Sequence, residues 1–233
     1  MLVAAEYADE ARLRRRAAAF TGRASGFDAR GVIVAEVAVR APRRVLEVGC
    51  GWGELAEWIE QDTGADAVAI DLSPRMVELA RQRGVDARVA DVQELPFDDG
   101  EFDCAVAAWM LYHVPDLDRA LGELVRVLGR GGRLVAATNS AFHLQELRDL
   151  VGSGPSPSTF TRENGGELLA RHFALVRRED VDGRLEFATR SEVDEYVRAS
   201  ISMSPFAQNL PPVVPEPFFA RRASSVFVAD SAE

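Results

Sequence analysis

From Arg43 onward, short apolar runs alternate with stretches in which apolar residues return every three or four positions. A strand covered on both faces is apolar throughout, whereas a helix packed on one side carries a 3.6-residue period. The runs RRVLEVG (43–49), DAVAIDL (66–72), VDARVADV (85–92), FDCAVAAWM (102–110) and RLVAATNS (133–140) therefore predict five strands. GELAEWIEQ (53–61), RMVELARQR (75–83) and LDRALGELVRVLG (117–129) predict the helices between them. Ser73-Pro74 reads as an N-cap followed by proline at the first helical position, and Gly84 stands where that helix should stop. Gly131-Gly132 is read as the stop of the third helix. Strands alternating with helices imply right-handed crossovers and a parallel sheet covered on both faces.

Outside this block the pattern is less regular. Residues 5–20 and 28–40 predict two leading helices. Past Ser140 the expected elements are a helix over RENGGELLARHF (162–173), a strand over ALVRRED (174–180) and a second strand near RLEFAT (184–189). A helix over SEVDEYVRAS (191–200) and a last strand over SSVFVADS (224–231) follow. VGSGPSPSTF (151–160) and NLPPVVPEPFF (209–219) read as ordered loops over a binding cleft. A chain of 233 residues is most simply one domain. Its expected parts are N-terminal helices or lid (1–42), a ligand-binding core (43–140), and substrate-side insertions with C-terminal strands (141–233).

Composition narrows the partners. A net charge of −10 argues against a sequence-independent grip on nucleic acid or anionic lipid. Cys50 and Cys104 make neither a metal spacing nor a disulfide framework, which suits a reducing cytoplasm. The start of the chain lacks the uninterrupted apolar core of a signal peptide, and no run reaches the length of a membrane span. The expectation is a cytoplasmic protein, monomer or homodimer, with no metal, nucleic-acid or membrane partner. The basic residues are all arginine, as in GC-rich bacterial genomes.

The candidate chemistry lies in VLEVGCGWGEL (45–55), where Glu47 precedes Gly49, Gly51 and Gly53. Open parallel sheets bind ligands beyond the carboxyl ends of their strands, and glycines there let backbone approach a ligand. A dinucleotide site wants G-x-G-x-x-G, but Glu54 stands in the place of its third glycine, an unfavourable neighbour for a pyrophosphate. Asp71, at the end of the second strand, suits ribose hydroxyls in either kind of site. The chain also has no lysine for the Tyr-x-x-x-Lys of many nicotinamide enzymes.

The alternate glycines with a preceding acid resemble the first motif of class I S-adenosylmethionine-dependent methyltransferases. VAIDLSPRMVELAR (68–81), ARVADVQELPFDDGEFD (87–103) and AAWMLYHVPDLDRALGELVRVLGRGGRLV (107–135) resemble that family's later motifs in order. The resemblance covers roughly residues 43–138 and is nearest the small-molecule, type 11-like branch. It implies a Rossmann-like, doubly wound α/β fold: a mostly parallel seven-stranded sheet, helices on both faces and an antiparallel C-terminal strand.

It also implies roles. Glu47 would lie near the amino group of S-adenosylmethionine, while Gly49 and Gly51 pass its carboxypropyl arm. Asp71 would bind the ribose, with Leu72 and Met76 against the adenine. Asp91 would accept from the adenine amine beside the Val92 backbone, and Trp109 would approach the methionine end. Trp52 departs from the family's small residue or proline, so the mouth of the cradle is expected to differ. Leu72 and Met76 are equally ordinary core, and Trp109 an ordinary plug of the sheet.

Methyl transfer from a sulfonium needs alignment and exclusion of water, and a base only for some nucleophiles. His113 and His143 are the candidate bases, with local backbone bonding as the competing role; His172 reads as packing. Tyr7 and Arg14 are candidate lid residues. AAWMLYH (107–113) lacks N-P-P-Y, D-P-P-Y and Pro-Cys, which disfavours amide, exocyclic-amine and cytosine C5 methylation. The expected activity is methyl transfer to an O-, N- or C-nucleophile of a metabolite, in bacterial secondary metabolism, under the N-terminal helices and the 141–165 and 203–219 segments. A cofactor-binding scaffold without catalysis is the alternative.

Overall fold

The computed structural model describes residues 24–26, 28–155, 158–200 and 202–232. The expected helix over 5–20, with Tyr7 and Arg14, lies outside them.

The five expected strands form as β2 (Arg44–Val48), β3 (Asp66–Asp71), β4 (Asp86–Val89), β5 (Cys104–Ala108) and β6 (Arg133–Asn139). All pair in parallel, in the order β4-β3-β2-β5-β6. Two strands of 13 residues complete the seven: β7 (Leu175–Phe187) and β8 (Phe218–Asp230). β8 lies antiparallel between β6 and β7. A three-residue strand, β1 (Ala24–Gly26), adds an eighth at the β7 edge.

β2 is the strand from which the order departs in both directions, with β3 on one side and β5 on the other. Its carboxyl end is therefore the switch point where open α/β sheets form a crevice. Among the described residues, six helices precede β7: α1 (Ala29–Ala38), α2 (Glu54–Thr63), α3 (Pro74–Gln82), α4 (Leu117–Leu128), α5 (Gln145–Val151) and α6 (Gly165–Leu169). A seventh, α7 (Arg190–Ala199), follows β7. One face of the sheet buries Leu46, Val68, Ala105 and Leu134 under Leu121 and Leu124 of α4. The other buries Val45, Val106 and Val135 against Ile33 and Val37 of α1 and Ile59 of α2. Each such side chain withdrawn from water contributes about 1.5–3 kcal/mol.

The local signals behave as their chemistry requires. The Ser73 hydroxyl accepts from Met76 N–H at 3.4 Å, with Pro74 opening α3. Asp116 caps α4, accepting from Arg119 N–H at 3.0 Å. Three expectations are corrected. α4 ends at Leu128 with Gly129 as its cap, ahead of Gly131-Gly132, because the Gly129 backbone adopts a positive φ. The helix expected over 162–173 forms only at Gly165–Leu169. The two strands expected at 174–180 and 184–189 are one, because Val181, Leu185 and Phe187 stay on a buried face through Gly183.

Candidate functional site

The turn after β2 is tied to β3. Gly49 and Cys50 N–H both donate to the Ile70 carbonyl, at 2.8 and 3.0 Å, and Gly51 N–H donates to Asp71 Oδ2 at 2.9 Å. Its three glycines all have positive φ, but a side chain would meet different surroundings at each. A Cβ on Gly49 would stand 2.7 Å from Met110 Cβ, and one on Gly53 2.9 Å from Ala80 Cβ on α3. A Cβ on Gly51 would meet nothing within 4 Å. Gly51 therefore keeps space open, whereas Gly49 and Gly53 let protein pack.

That space belongs to a cleft of 370 Å³. Glu47, Gly49, Gly51, Asp71, Leu72, Met76, Asp91, Val92, Trp109 and His113 all line it, so the sheet gathers ten of the eleven expected site residues. His143 is the exception. Its ring lies against β8, where Nδ1 accepts from Ala223 N–H at 3.1 Å, and burial pushes its pKa down to about 4. A neutral imidazole held by the backbone fills space there; it does not face the cleft. Among the described residues, none from 141–165 or 203–219 lines the cleft. Instead α5, α7 and Ser204–Asn209 pack on one another through Leu147, Val193 and Ala207. His172 lies further off, beside Asp118 of α4 at 3.1 Å.

Electrostatics mark two carboxylates. Glu47 is 3% exposed, and burial, joined by the charge of Asp71, pushes its pKa up to about 8. Ala56 N–H, in the first turn of α2, donates to it, capping a helix whose N-cap Gly53 has no side chain to offer. Among the described residues its Oε2 has no partner. Burial also raises Asp71, against the lowering effect of Ser73 N–H at 2.8 Å and Gly51 N–H. Burial raises the Cys50 thiol too, leaving it a filler and not a nucleophile.

Leu72 is 54% exposed at the cleft while Met76 is fully buried, so the two present one apolar wall, half of it facing water. Trp109 adopts φ +54°, and its indole Nε1–H donates to Asn139 Oδ1 at 3.2 Å. The Tyr112 and His113 rings stack edge-on, 4.4 Å between centroids. Glu54, opening α2, is answered by Arg83 at 3.3 Å and Arg30 at 3.7 Å. Sequence reasoning missed Arg30, Gln93, Met110 and Tyr112 as cleft residues. Gln93, Met110 and Tyr112 sit inside the quoted motifs, whereas Arg30 comes from α1 and had no local signal.

Residues 46–136 match the model of a family described as "Methyltransferase domain". The chain is 43% identical over 103 residues to a demethylmenaquinone methyltransferase of Thermus thermophilus, covering 41% of this chain and 47% of that one. It is 36% identical over 127 residues to a ubiquinone/menaquinone biosynthesis C-methyltransferase of a Geobacter species, covering 50% and 54%. The matched region thus spans about half the length of these relatives. Among solved structures, the YcgJ protein of Bacillus subtilis superposes with a TM-score of 0.64 over 88% of this chain and 98% of that one, at 17% identity. That likeness carries the fold. By these likenesses residues 46–136 resemble a methyltransferase domain, in keeping with the sequence resemblance to S-adenosylmethionine-dependent enzymes.

The cleft fits that cofactor on its own evidence. A buried carboxylate oxygen without a partner suits an ammonium, the space over Gly51 suits an arm of the ligand, and the Leu72–Met76 wall suits an apolar ring.

Proposed function

We propose that this protein transfers a methyl group from S-adenosylmethionine to a small-molecule acceptor. The observation that carries the reading is Glu47 Oε2, buried and, among the described residues, without a partner at the mouth of the glycine turn. A native protein seldom leaves such an oxygen unmatched unless a ligand supplies the donor.

In this reading Glu47 binds the cofactor's ammonium. Asp71 binds the ribose hydroxyls with the lone pairs that Gly51 and Ser73 N–H leave unused. Leu72 and Met76 cover the adenine, and Asp91 accepts from its amine. When bound, the cofactor supplies a methyl group on a sulfonium, open to in-line displacement by a nucleophile. Trp109, at the end of β5, walls the methionine end and excludes water there. His113, on the turn after β5, is the base for an acceptor that must lose a proton.

The named relatives act in quinone biosynthesis, so a hydroxylated aromatic ring is the first acceptor to try. No helix among the described residues is long and apolar enough to cross a membrane. The reading places the protein in the cytoplasm, as a monomer or homodimer, without nucleic acid.

Calorimetry with S-adenosylhomocysteine is the first test, with micromolar affinity expected, roughly −8 kcal/mol. NADH binding without S-adenosylhomocysteine binding would overturn the reading. A labelled methyl donor incubated with metabolite extracts then identifies the acceptor. Cofactor binding without transfer to any fraction would favour the scaffold alternative.

A further inference from the structure

The Gln93 side chain joins Asp91, which lines the cleft, to Asp116, which directly follows the lining segment 112–115. Its Nε2 donates to Asp91 Oδ1 and Oδ2 at 3.1 and 3.0 Å, and its backbone N–H donates to Oδ1 at 2.9 Å. Its Oε1 accepts from Asp116 N–H at 3.0 Å. These partners fix the amide's orientation, since only the NH2 end can face a carboxylate and only the oxygen can face an N–H.

Two consequences follow from that geometry. Asp91 Oδ1 carries two donors and Oδ2 one, so Oδ2 is the oxygen with room for a further donor. Asp116 also caps α4 and ends the stretch 112–115, every residue of which lines the cleft, His113 included. One amide therefore touches both the carboxylate at one end of the cleft and the segment that carries the candidate base.

A staple for the 91–97 turn is the plain alternative, but the turn has other staples. Leu95 N–H donates to Glu123 of α4 at 2.8 Å, and the Arg126 guanidinium donates to the Leu95 and Phe97 carbonyls at 3.0 and 2.8 Å. Those bonds hold the turn on α4 without Gln93. What Gln93 adds is a link from Asp91 in the cleft to Asp116, the residue directly after the lining segment 112–115.

We propose that Gln93 is a positioning residue: it presents Asp91 Oδ2 to the exocyclic amine of an adenine and couples occupancy of that end to the placement of the His113 segment. The proposal rests on the cofactor reading above. An amine is a donor and a 6-oxo group is not, so the orientation of Asp91 sets a preference for adenine over hypoxanthine. A charge-assisted hydrogen bond of this kind is worth roughly tenfold in affinity.

Calorimetry on the full chain should compare S-adenosylhomocysteine with S-inosylhomocysteine for wild type, Gln93→Ala and the near-isosteric Gln93→Glu. Proton NMR of His113 should be recorded with and without saturating S-adenosylhomocysteine. Wild type should prefer the adenine ligand, and both variants should lose roughly tenfold in its affinity and most of that preference. The His113 response to ligand should shrink in the same variants. Retained preference, or an equal loss for both ligands, would leave Gln93 a structural staple and overturn the proposal. Wild type failing to bind S-adenosylhomocysteine would instead defeat the cofactor reading, a separable result. Gln93→Glu keeps the side chain's size, so the test survives if Gln93→Ala does not fold.

Discussion

Trp109 and Asn139 hold each other at the ends of neighbouring strands: the indole Nε1–H donates to Asn139 Oδ1 at 3.2 Å while Trp109 sits at φ +54°. A left-handed backbone is costly for a bulky side chain and persists only where the surroundings enforce it. Here Trp109 N–H also donates to the Ala137 carbonyl at 2.8 Å, and Ser224 Oγ–H donates to the same Asn139 oxygen at 2.8 Å. One amide oxygen therefore gathers β5, β6 and β8 beside the cleft.

Asn139→Ala strands two donors and releases the indole. It should cost about 1–3 kcal/mol of stability. Tryptophan emission should change in the folded state, since Trp109 loses its fixed partner. Denaturant unfolding with fluorescence detection reads both, and a variant as stable as wild type would refute the arrangement.

The three glycines separate stability from binding. Gly53→Ala places a Cβ 2.9 Å from Ala80, so it should destabilise the fold by about 1–3 kcal/mol. Gly51→Ala meets no atom within 4 Å and should cost only about 1 kcal/mol for its φ of +53°, yet abolish S-adenosylhomocysteine binding. Gly49→Ala should do both. Thermal melts beside calorimetry test the ordering, and Gly51→Ala with intact binding would contradict it.

His143 should matter to folding alone. Its folded pKa, about 4, lies below the 6.5 of an exposed imidazole. Protonation therefore favours the unfolded chain, and stability should fall as pH drops from about 6.5 toward 4, by up to about 1.4 kcal/mol per pH unit. His143→Ala should lose stability by leaving Ala223 N–H without its acceptor, while binding S-adenosylhomocysteine like wild type. Weakened binding at unchanged stability would place His143 in the cleft after all.

What the sequence made legible follows from range. Strand and helix periods, the Ser73-Pro74 start of α3 and the glycine turn are local, and the parallel order of the central strands comes with them. Most of the expected cleft residues lie at or just past strand ends, where the topology brings them together. His143 was misplaced because proximity in sequence to the end of β6 does not say which face its ring takes; its partner is on β8, 80 residues on. α5 carried no periodic run long enough to read, and Leu147 and Val151 are buried by contacts from α7 and Ser204–Asn209. The role of Gln93 needed the distance to Asp116, which no motif encodes.

Glu47 makes ligand binding and stability depend on pH in opposite senses. Its folded pKa, near 8, lies above the unfolded value of 4.5, so the folded chain binds the proton more tightly. Stability without ligand should therefore decline as pH rises from about 4.5 to 8. An ammonium ligand needs the ionised carboxylate, so S-adenosylhomocysteine affinity should rise from pH 6.5 to 8.5, with a proton released on binding. Calorimetry in buffers of different ionisation enthalpy counts that proton. Glu47→Gln keeps the size and the acceptor for Ala56 N–H but cannot ionise. It should bind the ligand weakly, show a flat pH profile, and be at least as stable as wild type at pH 8. A steep profile retained in Glu47→Gln would assign the titration to another group.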